Sequence, residues 1–304
     1  MGETKKTKNE KKSAWKNFLE SEFFYHYKHN LPAIIGSILV LIAILVAVFG
    51  KLLAPQNPYD LTQINLMDSY LPPAWSEGGS MKFLLGTDNQ GRDILSAIIY
   101  GSVSSLTIGM VGMLASCLIG TTLGLIAGYF GGKVDSIIMR IADIQLSFPS
   151  MLIALFIMSV FGRGIDKLLI ALTMVGWVKY ARTVRGETLS VRKKEYVEAA
   201  RTIGLPNHRI ILKHVMPNVV TSIIVLATIQ VGDFILTEAT LSFLGVGVPI
   251  TEPSLGLLVK TGFDVLFSGL WWASVFPGLY IMLVVFGINL LGDFLRDELN
   301  PNLK

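Results

Sequence analysis

The stretch LPAIIGSILVLIAILVAVFG, residues 31–50, is twenty residues without one charged side chain. At 1.5 Å per residue, a helix of that length crosses a hydrocarbon core of about 30 Å. It begins thirty residues into the chain, is too long for the apolar core of a secretory leader, and has no small-x-small site close behind it. It therefore reads as a retained span. Five further runs, 107–130, 145–161, 168–178, 219–248 and 270–291, are almost free of charge. The run at 168–178 is short, but it extends through Lys179 and Arg182, whose long stems reach an interface. The expectation is an all-α integral membrane protein of six transmembrane helices.

Composition agrees. Of 304 residues 52% are hydrophobic and 16% charged, against about 25% charged in soluble domains. Lys and Arg distribution sets the orientation. With the N-terminus inside, twenty of the basic residues fall in inside segments and six outside, which predicts an N-in, C-in topology. The net charge of +4 follows from that bias, and no helix-turn-helix or RNA-binding signature points to nucleic acid. Cys117 is the lone cysteine, so no intrachain disulfide is possible.

Working outward, residues 1–12 are Lys-rich and expected to be disordered, and 14–29 mix aromatics with charges as an interfacial helix does. Residues 1–30 thus form an inside tail and interfacial helix, 31–50 the first span, 51–100 an outer loop, 101–292 the main transmembrane domain, and 293–304 an inside tail. The outer loop is Pro- and Gly-rich, and Asp88 or Asn89 is expected to cap a short helix starting near Arg92. Asp88, Asn89 and Asp93 miss the spacing of a calcium loop and lack its closing Glu, so no metal site is expected. Gly120, Gly124 and Gly128 share one helical face and predict close approach of a neighbouring helix, in this chain or another. Pro149 and Pro277 lie inside spans and are candidate hinge or pathway positions. The fifth span carries Asp233 and Glu238. Ionisable groups at membrane depth face a cavity or a partner, although an interface position for Glu238 stays open.

Between the fourth and fifth spans lies EYVEAARTIGLPNHRIILKHVMPN, residues 195–218, the core of an inside loop that includes 181–218. A helix-forming run is broken at Gly-Leu-Pro-Asn and followed by a second helical run, as in a docking element for a soluble partner. There is no phosphate loop, no HExxH, no paired-Cys site and no nucleophile elbow. His26, His29, His208 and His214 form no ligand cluster in the sequence. The chain carries no enzyme signature, so any work against a gradient needs a partner or an ion gradient.

Glu198-Ala199-Ala200, Gly204 six positions after Glu198, and Pro217 resemble the EAA loop of ABC importer permeases. His214 stands where that loop has Ile, and His214 to Asn218 resembles the His-x-x-Pro-Asn variant of the peptide branch. Gly86-Thr87-Asp88 with Gly91-Arg92-Asp93 resembles the outer-loop GTDxxGRD motif. The stretch from Glu238 to Gly245 resembles EAxLSFLG, and Asn289 to Asp293 with Arg296-Asp297 resembles NLLGDxLRD. The likeness covers most of residues 15–302. It departs at Val103, where the family often has Arg, and at Leu255, where it often has Trp.

The resemblance implies a type I ABC importer permease fold. It implies a second permease subunit, two cytoplasmic ATP-binding subunits and an extracytoplasmic peptide-binding protein as partners, with membrane lipid around them. ATP and Mg would sit on the ATPase subunits, with no cofactor on this chain. Glu198, Ala199, Ala200, Gly204, His214 and Pro217 would couple to the ATPases. Dipeptides are the expected cargo, with oligopeptides, nickel complexes and haem-like ligands handled by related permeases. An ATP-independent secondary transporter would instead show ionisable pairs in several spans and an inverted repeat; an intramembrane enzyme would need His, Asp or Ser groups within the bilayer.

Overall fold

The structure, a computed structural model, describes residues 22–60 and 62–299. The expectations for 1–12, for the first part of 14–29 and for the last residues of the tail lie outside the described residues. A short helix, α1 (Glu22–His29), leads into α2 (Leu31–Leu53). Asn30 caps α2 by accepting from the Ala33 amide at 3.0 Å. Pro32 sits in the first turn, where a missing N–H is harmless. Gly36 of α2 faces Gly287 of α11 (Trp272–Leu299), and a Cβ added at Gly36 would lie 2.9 Å from the Gly287 carbonyl.

The loop after α2 is held by the GTDxxGRD stretch. Asp88 accepts from the Gln90 and Arg92 amides through Oδ1 and from Arg92 Nε at 2.6 Å through Oδ2. Both side chains of that ion pair are nearly inaccessible. With Asp88 committed, Asp93 caps α3 (Ile94–Phe130), accepting from the Ser96 amide at 2.8 Å. This corrects the expected cap at Asp88 or Asn89. The helix it starts is not short but 37 residues long. Tyr59 stacks beneath Arg92, at 5.5 Å from ring centre to guanidinium, and burial pushes its phenol up to about 12.

After Gly131, α4 (Gly132–Leu146) and α5 (Ser150–Phe161) meet at an 86° bend. Pro149 stands at the start of α5, and the residue before a proline is disfavoured in helical geometry. Pro149 thus separates two helices, whereas Pro277 lies within the continuous α11. α6 (Ile165–Val191) runs along α3. A Cβ on Gly124 would come within 2.6 Å of the Ala181 carbonyl, and one on Gly128 within 2.6 Å of Thr188 Cβ. Gly120 meets Trp177 and Tyr180 in the same way. The neighbour approached by the glycine face is therefore α6 of the same chain.

Next come α7 (Glu195–Thr202), α8 (Asn207–Ile210), a π-helical turn (Ile211–Val215) and α9 (Met216–Phe243). The last three form one continuous rod, Asn207–Phe243. α10 (Leu255–Phe263) packs on α9 and α11. Among the described residues there is no β-strand, only an isolated bridge between Thr87 and Asp93. Among the described residues four helices are long and apolar enough to cross a membrane: α2, α3, the rod ending at Phe243, and α11. Counted as one broken span, the bent α4–α5 pair makes a fifth. α6 has the length of a span, but it carries Lys179, Arg182, Arg185 and Glu187. Leu118, Phe156 and Leu52 are among the many large apolar side chains turned outward, the pattern expected of an integral membrane protein.

Candidate functional site: the 195–218 elbow and the cavity between α6 and α9

The break between α6 and α7 is only three residues, Arg192 to Lys194. Residues 181–191, read from sequence as the start of a loop, are the last turns of α6. The reason is register: Val184, Thr188 and Val191 recur on one buried face, and the charged residues between them, Arg185 and Glu187, reach partners on α4 and α9. α7 then presents two faces. Val197 and Ala200 are buried, while Glu198, Ala199 and Arg201 are exposed and Ile203 is 80% exposed.

Gly204 ends α7 with φ +82°. Its amide donates to the Arg201 carbonyl at 3.0 Å, and the Leu205 amide donates to the Ala200 carbonyl at 3.1 Å. This is the paired bond pattern of a glycine-terminated helix, with Leu205 turning back onto the apolar cluster beneath. Pro206 opens α8. His214 lies in the π-helical turn, and its carbonyl accepts from Asn218 Nδ2 at 2.7 Å. Pro217 is exposed within the continuous rod, two residues after the π-helical turn, and lacks the N–H that would bond back into that turn.

The elbow is fastened to the end of α3. Arg192 Nη1 donates to the carbonyls of Gly128 and Tyr129 at 2.9 and 3.1 Å, neutralising the exposed helix end. The Tyr129 hydroxyl donates to Asn207 Oδ1 at 2.9 Å, and Arg201 lies over the Tyr129 ring at 5.4 Å. Tyr129, Val197, Ala200, Ile210 and Val215 share one buried cluster with Leu125 and Tyr180. α7 is thus packed against α3, α6 and the rod through one shared cluster.

Beside the elbow, α6, α9 and the end of α11 line an open cavity of about 880 Å³. Thr183, Glu187 and Ser190 come from one stripe of α6, Asn218, Ser222, Val225 and Ile229 from α9, and Arg296 from α11. Glu187 accepts a short hydrogen bond from the Ser222 hydroxyl across it. One turn beyond the lining residues, Lys179 Nζ donates to Asp233 Oδ2 at 2.7 Å. Asp233 is therefore placed near the cavity, with a partner on another helix.

Glu238 is elsewhere. It is fully buried, so it stands neither at an open cavity nor at a water interface. Its Oε2 accepts from Ser105 at 2.7 Å, and its Oε1 accepts from Ser242 at 2.9 Å and Ser254 at 2.8 Å. Ser242 and Ser254 in turn accept from the Val248 and Leu257 amides. Their hydroxyl protons are thereby directed at the carboxylate. Glu238 joins α3, α9 and α10, so Pro149, Asp233 and Glu238 do not form one site. The two segments that depart from the family pattern, around Val103 and Leu255, flank this carboxylate.

Comparison with known proteins places these features in context. Residues 120–304 match the family described as binding-protein-dependent transport system inner membrane component. Residues 13–73 match the N-terminal TM domain of oligopeptide transport permease C. The chain belongs to this family of transport permeases. Relatives include the dipeptide transport system permease protein DppC of Escherichia coli K12, 42% identical over 285 residues and 93% of each chain. DppC of Haemophilus influenzae is 38% identical over 93% of this chain and 95% of its own. The oligopeptide transport system permease protein OppC of Bacillus subtilis is 36% identical over 100% of this chain and 94% of its own. A chain of the MetNI methionine ABC transporter, solved in inward-facing conformations, matches at a TM-score of 0.54 and 18% identity. The match covers 67% of this chain and 96% of that one, and shows the type I importer permease fold.

Sequence reasoning missed the Lys179–Asp233 pair and Glu187 at the cavity, Ser105 and Ser254 as partners of Glu238, and Tyr129 and Arg192 as the fastening of the elbow. The spacing Lys179, Thr183, Glu187 was the available signal: polar residues four apart mark a helix face rather than a loop.

Proposed function

We propose that the chain is a membrane-embedded permease subunit of an ATP-driven importer for dipeptides and short oligopeptides. Near-full-length identity to dipeptide and oligopeptide permeases carries this reading. Six helices cross the bacterial inner membrane, α6 completing the set because Glu187 faces the cavity and Lys179, Arg182 and Arg185 each pair with an acid on a neighbouring helix, with both termini inside. A second permease subunit supplies the rest of the pathway, and an extracytoplasmic peptide-binding protein delivers the cargo. Two cytoplasmic ATP-binding subunits hold ATP and Mg and dock on the exposed face of α7 around Glu198, Ala199 and Gly204. Closure of the ATPase pair pushes α7, and the anchors at Tyr129 and Arg192 turn that push into a rigid-body movement of the helices.

The test is uptake of a labelled dipeptide by cells with and without the gene, together with copurification of ATPase activity. Uptake that is unchanged by deletion and requires no ATP would overturn the reading.

A further inference from the structure

We propose that Lys179 and Asp233 form a binding site for the two charged ends of a short peptide. The proposal rests on the peptide-importer reading above. Lys179 lies near the middle of α6, about 20 Å from either end at 1.5 Å per residue, and Asp233 lies in the second half of α9. Their contact is 2.7 Å, yet the two side chains are 59% and 45% exposed. Two observations bear on what the pair does.

The first is energetic. Charged groups at membrane depth are costly against lipid, and an open ion pair in water stabilises by only about 0–1 kcal/mol. A half-open pair in a span is therefore a poor helix fastener. Arg185 and Asp135 fasten α6 to α4 through two parallel bonds at 2.9 and 2.6 Å and are less exposed, beside the open Arg182–Asp143 pair between the same two helices. The open pair needs a wet wall.

The second is its place. Thr183 and Glu187 continue the stripe of Lys179 along α6, and Ile229 and Ser222 continue that of Asp233 along α9. All four line the 880 Å³ cavity. The ion pair stands one turn beyond them, at the head of an open groove of mixed polar and apolar lining with room for a small solute.

A zwitterion fits this chemistry. The peptide ammonium takes Asp233 and the peptide carboxylate takes Lys179, so one internal pair is exchanged for two charge-assisted pairs. The flexible four-carbon stem of Lys179 opens the pair without backbone movement. Such a site reads free termini and ignores side-chain identity. It holds both ends of a short peptide but only one end of a long one.

The test uses the assembled transporter purified in detergent, with Cys117→Ser and a reporter thiol at Ile229→Cys, and in a second preparation at Thr183→Cys. The rate of modification by a cationic methanethiosulfonate is measured with millimolar alanylalanine or with N-acetylalanine amide, which lacks both charges. Alanylalanine is expected to slow labelling of at least one reporter by about tenfold, the scale of a lost charged hydrogen bond, and the amide to leave it unchanged. Lys179→Met and Asp233→Asn are each expected to abolish the protection. Thiols that fail to react at both positions would show a dry site and overturn the proposal. So would absent protection, or protection that survives both substitutions. ATP-dependent alanylalanine uptake by the wild-type complex is scored separately, so failure of this site leaves the importer reading standing.

Discussion

The Tyr129 hydroxyl donates to the Asn207 side chain at 2.9 Å, joining the last turn of α3 to the first residue after the Gly204-Leu205-Pro206 turn. The two residues are 78 positions apart. Because Tyr129 is itself buried in the cluster under α7, this bond and its ring connect the elbow to the 37-residue helix α3.

Removing the hydroxyl separates the bond from the packing. Tyr129→Phe is expected to cost about 0.5–1.5 kcal/mol and to lower uptake severalfold with insertion unchanged. Tyr129→Ala also empties a core site and is expected to cost about 3–5 kcal/mol. Thermal unfolding in detergent and dipeptide uptake check both; equal behaviour of the two variants would contradict the role of the bond.

At Gly204 the left-handed backbone, φ +82°, stands in open space with nothing within 4 Å of an added Cβ. Gly204→Ala therefore costs only conformational strain, about 1–2 kcal/mol. Gly204→Asp and Glu198→Lys change the exposed docking face and are expected to abolish uptake and ATPase coupling while the chain still inserts. Normal transport by a correctly inserted double variant would refute the coupling role.

The glycine face gives a stability prediction with an internal control. Gly124→Leu collides with the Ala181 carbonyl and the Val184 side chain, and the chain is expected to be lost from the membrane. Gly186 is also helical but meets nothing within 4 Å, so Gly186→Ala is expected to be neutral or stabilising by up to about 1 kcal/mol. Immunoblots of membrane fractions distinguish the two.

Glu238→Gln keeps the shape but offers only one acceptor oxygen to three hydroxyl donors, and Glu238→Leu offers none. Losses of about 1–3 kcal/mol per unpaired group are expected, larger for Leu, with α10 detaching first. Proteolysis or hydrogen exchange over residues 244–263 reports that detachment.

Burial holds the Asp93 carboxyl above its ordinary value of 3.8, against the opposing bonds from Ser96. A raised folded-state pKa contributes stability that is fully present below the unfolded value and is lost as pH rises through the folded one. Asp93→Asn should still cap α3 and should flatten that part of the stability profile, from about pH 4 upward. Unfolding midpoints across that range, wild type against variant, check it.

Much of this architecture is legible in the chain because apolar runs and Gly-Pro punctuation are local signals. Residues 31–50 fall within α2, and the turn at Gly204 stands where the Gly-Leu-Pro-Asn break predicts one. What is not legible is decided at a distance. Asp88, Asn89 and Asp93 are all capable caps, and only the capture of Asp88 by Arg92 selects Asp93. The partner of Asp233 is 54 residues away and that of Glu238 on α3 is 133 away, with no local pattern to announce either. α6 was cut short because its charges look like loop residues until their common face is seen.

The contact of Gly120, Gly124 and Gly128 with α6 has a mechanical consequence. Where main chain meets main chain there is no intervening layer of rotamers to slide or reshuffle. α3 and α6, which run parallel along this contact, must consequently tilt as a single stiff plank. Whatever bending the transport cycle demands is left to the joints outside it, at residues 147–149 and in the widened turn at 211–215.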